Sequence, residues 1–200
     1  MLTGSPAAAL VGALGVLERA IGYTRSSLQL ATLDRMANPT PCQGWDLRFL
    51  LHHLDDSLVA LQEAADVGFV GPERGGGSAH ERADHGPADL VAALRARAGS
   101  LLGAWTHNDG AALVSVAGSP LTAAVLVSTG ALEIAVHGWD VARACGHRHP
   151  LPPRLAEEML DLAPLLVTDQ DRCARFAAAL DLPPVAPPGD RLLAFLGRGP

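Results

Sequence analysis

The chain contains no lysine. All 15 of its basic side chains are arginine, scattered along 200 residues whose formal net charge is −6. An acidic balance without a basic cluster offers no electrostatic footprint for a nucleic-acid backbone, and no partner of that class is expected. Cysteine is scarce too. Cys42, Cys145 and Cys173 are an odd number with no CxxC spacing, which argues against a disulfide framework and against a cysteine-based zinc site. Internal repeats are absent, and no segment shows the sustained apolar–polar alternation of strands. The start "MLTGSPAAAL" lacks a positively charged leader, and Glu18 and Arg19 interrupt the apolar segment behind it, so no secretory signal is expected. Residues 111–132 carry no charge and match the roughly 20 residues that a membrane span requires. Their Ser115, Gly118, Ser119, Pro120, Thr122, Ser128, Thr129 and Gly130 instead fit a helix buried in protein. A cytoplasmic protein with no membrane partner is the expectation.

What the chain does have is apolar surface: 48% of its residues are hydrophobic and 18% charged, enough to bury the core of one domain spanning 1–200. Ser5-Pro6 reads as an N-cap and first helical residue, followed by an apolar stripe at Leu10, Ala13, Leu14, Leu17 and Ile21, predicting a helix to about Leu33. "ANPTPCQGW" interrupts it. Asp46 is placed to cap a second helix with Leu47, Leu50, Leu51, Leu54, Leu58 and Leu61 on one face. Residues 67–87 form a long Gly-rich loop, and a third helix follows Pro87. The fourth is expected from about Pro120 to Ala144, with Gly146 as its stop. "PPRLAEEMLDLAPLLV" and "QDRCARFAAAL" read as shorter helices, and 183–200 is a Pro-rich tail with one short apolar element. The fold class is all-α: a four-helix bundle with additional short C-terminal helices.

In "ALEIAVHGWDVARACG", residues 131–146, Glu133 is the first charge after a long uncharged run, and His137 follows it by four residues. On a helix the two share a face, one turn apart. Burying a lone carboxylate costs several kcal/mol; a divalent metal offsets that cost, and so does a hydrogen bond or ion pair in the core. A metal needs a third ligand. His80, His85, His147 and His149 fit solvated loop and turn positions. His52 and His53 lie on opposite shoulders of the second helix's leucine stripe, and helical angle does not choose between them. Cys42, in a Pro/Gly turn, and Trp45 read as packing residues. Trp139 reads the same way, while Asp140 is placed to orient a ligand histidine, and Arg48 and Arg143 can hold an anionic substrate.

"TPCQGWDLRFLLHHL" and "ALEIAVHGWDVARACG" resemble the two signatures of the mycothiol-dependent maleylpyruvate isomerase-like family, within the DinB-like metal-binding superfamily. The closing "DRLLAFLGRGP" is similar to the ending of its short, single-domain actinobacterial members, so the resemblance spans the chain. It implies a DinB-like bundle holding a metal, zinc first with nickel or iron as alternatives, on His53, Glu133 and His137. It therefore selects His53 over His52, and leaves Asp140, Arg48, Arg143 and Trp139 as supporting or substrate-binding candidates. It further implies mycothiol as thiol cosubstrate, a small-molecule electrophile, a transferase or isomerase activity through a metal-bound thiolate, and a homodimer. Maleylpyruvate isomerase itself carries a further C-terminal domain, of which no counterpart is expected here, so the expectation extends to metal and thiol chemistry more than to that isomerisation. A metal-activated hydrolase and a non-catalytic metal-binding or dimerisation protein are the alternatives the same residues allow.

Overall fold

A computed structural model of the chain describes residues 5–71, 86–107, 113–170, 172 and 176–199. These fall into two compact units, 1–148 and 149–200. The first unit is built on four helices: α1 (Pro6–Ser27), α2 (Leu47–Val67), α3 (Pro87–Trp105) and α4 (Ala123–Ala144). The pairs α1–α4, α4–α2, α2–α3 and α3–α1 all pack, which closes the ring of a bundle.

Each helix starts where local chemistry dictates. The Ser5 hydroxyl accepts from the Ala8 N–H at 3.3 Å and Pro6 opens α1. Asp46 accepts from the Phe49 N–H at 2.8 Å and opens α2. The α1 helix ends earlier than the sequence suggests, at Ser27, because Ser26 and Ser27 bond back to the Tyr23 carbonyl and two 3₁₀ turns follow, Leu28–Leu30 and Leu33–Arg35. By length and composition the segment Pro6–Leu30 could cross a membrane, but its stripe Leu10, Ala13, Leu17, Ala20 and Ile21 is buried, and α4 is its main neighbour.

The expected helix start at Pro120 is corrected. Residues 113–122 form a hairpin of β2 (Leu113–Val116) and β3 (Ser119–Thr122), and the two-residue strand β1 (Phe69–Val70) pairs in parallel with β2. Ala117 and Gly118 both have positive φ, 48° and 85°, the conformation that two-residue hairpins demand. Pro120 is tolerated because β3 is an edge strand. Four-residue strands are too short for alternation to register. Thr122 then caps α4, which is buried on nearly every side from Ile134 to Ala142 and ends at Gly146 (φ +74°). There the Gly146 N–H bonds to the Arg143 carbonyl and the His147 N–H to that of Ala142.

In the second unit, α5 (Pro153–Leu166) packs with α6 (Pro188–Phe195). The helix expected over 170–180 is not found among its described residues: Arg172 and Phe176 form an isolated bridge and 177–180 are irregular. The Arg172 guanidinium instead bonds to the carbonyls of Ala177 and Phe195. Most of the Gly-rich loop, with His80 and His85, and Cys173 lie outside the described residues.

Two glycines set how closely helices approach α4. A Cβ on Gly130 would fall 2.5 Å from Leu61 Cδ1, so α2 packs directly against this point of α4. A Cβ on Gly138 would stand 3.0 Å from Thr24 Cβ, in the α1–α4 contact where the Thr24 hydroxyl donates to the Ile134 carbonyl at 2.7 Å. Gly22, by contrast, is exposed on α1 with nothing within 4 Å of an added Cβ. Gly138→Ala is therefore expected to destabilise the protein by about 1–3 kcal/mol through overpacking. Gly22→Ala should stabilise it by about 0.5–1 kcal/mol through reduced backbone entropy of the unfolded chain. Urea unfolding of the two variants reads both signs.

Candidate metal centre

His53 projects from α2 beside the buried stripe of Leu50, Leu51 and Leu54, and Glu133 and His137 project from α4 one turn apart. The three meet. His53 Nε2 lies 2.7 Å from Glu133 Oε1, and His137 Nε2 lies 3.1 Å from the same oxygen. Their ligating atoms all fall within 4.8 Å of one another, and the two imidazole rings stand edge to face with centroids 5.1 Å apart. His137 is buried, while His53 and Glu133 are about one-third exposed, so the cluster opens to solvent on one side.

On the far side of His137, Nδ1 lies 2.9 Å from Oδ2 of Asp140, a carboxylate with no solvent exposure. Asp140 thus meets His137 on the ring nitrogen opposite the one that faces Glu133. Ionised carboxylates can only accept, so placing one at each ring nitrogen favours the protonated form of His137 in the metal-free protein. Desolvation opposes that charge. The Glu133 charge, together with hydrogen bonds to Asp140, Cys42 and Glu133, outweighs it and raises the His137 pKa well above its ordinary 6.5. Desolvation likewise opposes ionised Glu133, yet the His137 charge and the hydrogen bonds from His137 and His53 hold its carboxyl well below 4.5. On α1, Tyr23 is pushed far up by burial, a hydrogen bond to Ser27 offsets part of this, and the Asp140 charge adds to it.

Two residues read from the sequence as packing lie against the cluster. Cys42 Sγ donates to Asp140 Oδ2 at 3.3 Å and stands 3.9 Å from His137 Nδ1. The Trp45 ring lies 4.8 Å from that of His53 and stacks at 6.2 Å on that of His137. Both belong to the segment between α1 and α2, which is closed on itself: Thr40 N–H bonds to the Trp45 carbonyl, Trp45 N–H to that of Cys42, and Leu47 N–H to that of Asn38. Arg35 and Asn38 then bond the carbonyls of Cys145 and Ala144 at the end of α4. Periodicity says nothing about loops, so the only signal for these two residues was their place in "TPCQGW", a few residues before the histidine pair.

The remaining candidates are not brought into the cluster. Trp139 and Arg143 lie two and six positions past His137, about 200° and 240° around the helix. Trp139 is buried, with the exposed Arg143 guanidinium 5.4 Å from its ring centroid. Arg48 is exposed in the first turn of α2. His52 is half-buried outside the cluster, and His107 bonds to the Gly103 carbonyl at the end of α3.

Residues 17–142 match the family model described as the mycothiol maleylpyruvate isomerase N-terminal domain. An uncharacterised protein of Mycobacterium tuberculosis is 30% identical over 168 residues, covering 82% of this chain and 86% of its own. A second uncharacterised protein of that organism is 29% identical over 138 residues, covering 61% of this chain and 52% of its own. The crystal structure of the mycothiol-dependent maleylpyruvate isomerase superposes with a TM-score of 0.60 at 18% identity, covering 77% of this chain and 68% of that one, a likeness of fold. The bundle, its sequence signatures and these relatives agree that the chain belongs to the mycothiol maleylpyruvate isomerase N-terminal domain family.

Proposed function

We propose that the protein binds a divalent metal through His53 Nε2, Glu133 and His137 Nε2, and uses it with a low-molecular-weight thiol of the mycothiol type in transferase or isomerase chemistry on a small electrophile. The observation that carries the metal reading is the convergence of both Nε2 atoms on one Glu133 oxygen, with His137 Nδ1 already committed to Asp140. The residues fit the group: two imidazoles and one carboxylate suit zinc, and also Fe(II) or Ni(II). Three protein ligands leave room for an exogenous molecule. A bound divalent metal supplies Lewis acidity that lowers the pKa of a thiol or water beside it. The thiol cosubstrate is inferred from the family, as is the likeness to an isomerase.

The chain's own residues supply the setting. Asp140 holds the proton on His137 Nδ1, so the ring presents Nε2 and stays in one orientation. Trp45 packs over both imidazoles and takes part of their surface out of water. Phe49, itself 44% exposed, extends that aromatic surface with its ring 4.7 Å from Trp45.

Elemental analysis of the purified protein is expected to find about one divalent metal per chain, lost in His53→Ala/His137→Ala; full occupancy in that double variant would end the metal reading. Calorimetry with mycothiol is expected to show saturable heat in the metal-loaded protein, together with turnover of electrophiles only when thiol is present. Thiol-independent hydrolysis would point to the hydrolase alternative, and thiol binding without turnover to a non-catalytic protein.

Protons compete for the same atoms. Below its ordinary 6.5 the raised His137 contributes its full share to apoprotein stability, lost as pH rises through the raised value; the lowered Glu133 contributes above 4.5, lost as pH falls. Apoprotein stability from this pair is therefore expected to be greatest between pH 4.5 and 6.5, whereas metal affinity rises with pH as His137 gives up its proton. Urea midpoints measured across pH, with and without metal, should diverge progressively on the alkaline side.

A further inference from the structure

Asp140 is a carboxylate without solvent exposure on which two structural elements converge. One oxygen, Oδ2, receives both His137 Nδ1 at 2.9 Å and Cys42 Sγ at 3.3 Å. His137 is on α4; Cys42 comes from the connecting segment between α1 and α2. That segment also carries Trp45, whose ring lies against both His53 and His137. Two further ties, from Arg35 and Asn38 to the carbonyls of Cys145 and Ala144, hold it at the end of α4. Among the described bonds, the thiol is the one through which the segment reaches the ligand histidine's own carboxylate partner.

We propose that Cys42 is a positioning residue: its thiol donates to the Asp140 oxygen that also holds His137 Nδ1, and so locks the Trp45-bearing segment and the His137 ring in register. A buried carboxylate needs its lone pairs occupied, and an S–H donor, though weak, occupies one without competing for the His137 proton. Cys42 Sγ is on the Nδ1 side of the ring and the Glu133 oxygen on the Nε2 side, so toward a metal held by His53, Glu133 and His137 Nε2 it acts through Asp140 and not as a ligand. Partners of this kind beyond the ligands typically change metal affinity 10–100-fold. A weak sulfur donor one step further out is expected at the lower end, about tenfold.

The proposal rests on the metal reading for one readout and on the apoprotein for another. In the first, Co(II) is titrated against a chromophoric chelator. Cys42→Ala is expected to weaken binding about tenfold, while Cys42→Ser, which keeps a small donor, restores affinity to within about twofold of the original chain. The Co(II) visible spectrum should show no sulfur-to-metal charge-transfer band in the original chain. Such a band, lost in Cys42→Ala, would make Cys42 a ligand and overturn the proposal, as would equal affinity in Cys42→Ala or failure of Ser to restore it. In the second, urea midpoints of the metal-free protein are compared for Cys42→Ala, Asp140→Asn and the double variant. Coupling through the shared oxygen predicts a double shift smaller than the sum of the single shifts; additive shifts would overturn it. If the original chain takes up no Co(II), the metal reading fails and this cycle alone decides the role of Cys42.

Discussion

The structure is organised around a charge problem inside α4. Glu133, His137 and Asp140 lie within about 60° of one another on α4, whose stretch from Ile134 to Ala142 is buried on nearly every side. None can be left unpaired there, because an isolated buried charge costs far more than a small domain can absorb. Glu133 meets His53 and His137, His137 meets Asp140, and Asp140 meets Cys42. Two of these links lie within α4 itself, and the other two require other elements at set places. The α2 helix must present His53, and the connecting segment must present Cys42.

Close helix packing makes those placements possible. Gly130 admits Leu61 and Gly138 admits Thr24, so α2 and α1 approach α4 at positions three residues before Glu133 and one after His137. The Thr24 hydroxyl bonds to the Ile134 carbonyl within the span that carries the cluster. Packing and electrostatics are thus served by neighbouring residues of one helix. The apolar positions set the distance between helices, and the polar ones use that distance to meet across it.

The connecting segment solves a different problem. A loop between two helices is ordinarily the most adaptable part of a bundle, yet here Thr40, Cys42 and Trp45 bond to one another and Arg35 and Asn38 reach the end of α4. The result is a piece of irregular backbone, tied at several points, that supplies a ring against both imidazoles, Trp45, and a half-buried donor, Cys42. The aromatic contact continues through Phe49, whose ring meets that of Trp45, while the arginines first considered for anion binding, Arg48 and Arg143, lie outside the cluster.

Much of this was legible in the chain itself. The leucine stripe of α2, the Ser5 and Asp46 caps, the Gly146 stop and the Glu133/His137 pair follow from spacing and capping chemistry, since a helix relates residues three and four apart by geometry alone. Spacing could not choose His53 over His52, because two adjacent positions flank a stripe symmetrically; the motif resemblance and then the contact with Glu133 distinguished them. The hairpin at 113–122 escaped because its strands are too short for alternation to register, and the described residues 177–180 because an Ala-rich composition does not ensure a helix. What the sequence alone determined is therefore local: which stretches are helical, where they start, and which face of α4 carries charge. That Cys42, Trp45, His53 and Asp140 gather around one imidazole was decided only by the tertiary fold, because contacts across tens of residues depend on how closely helices and loops can pack.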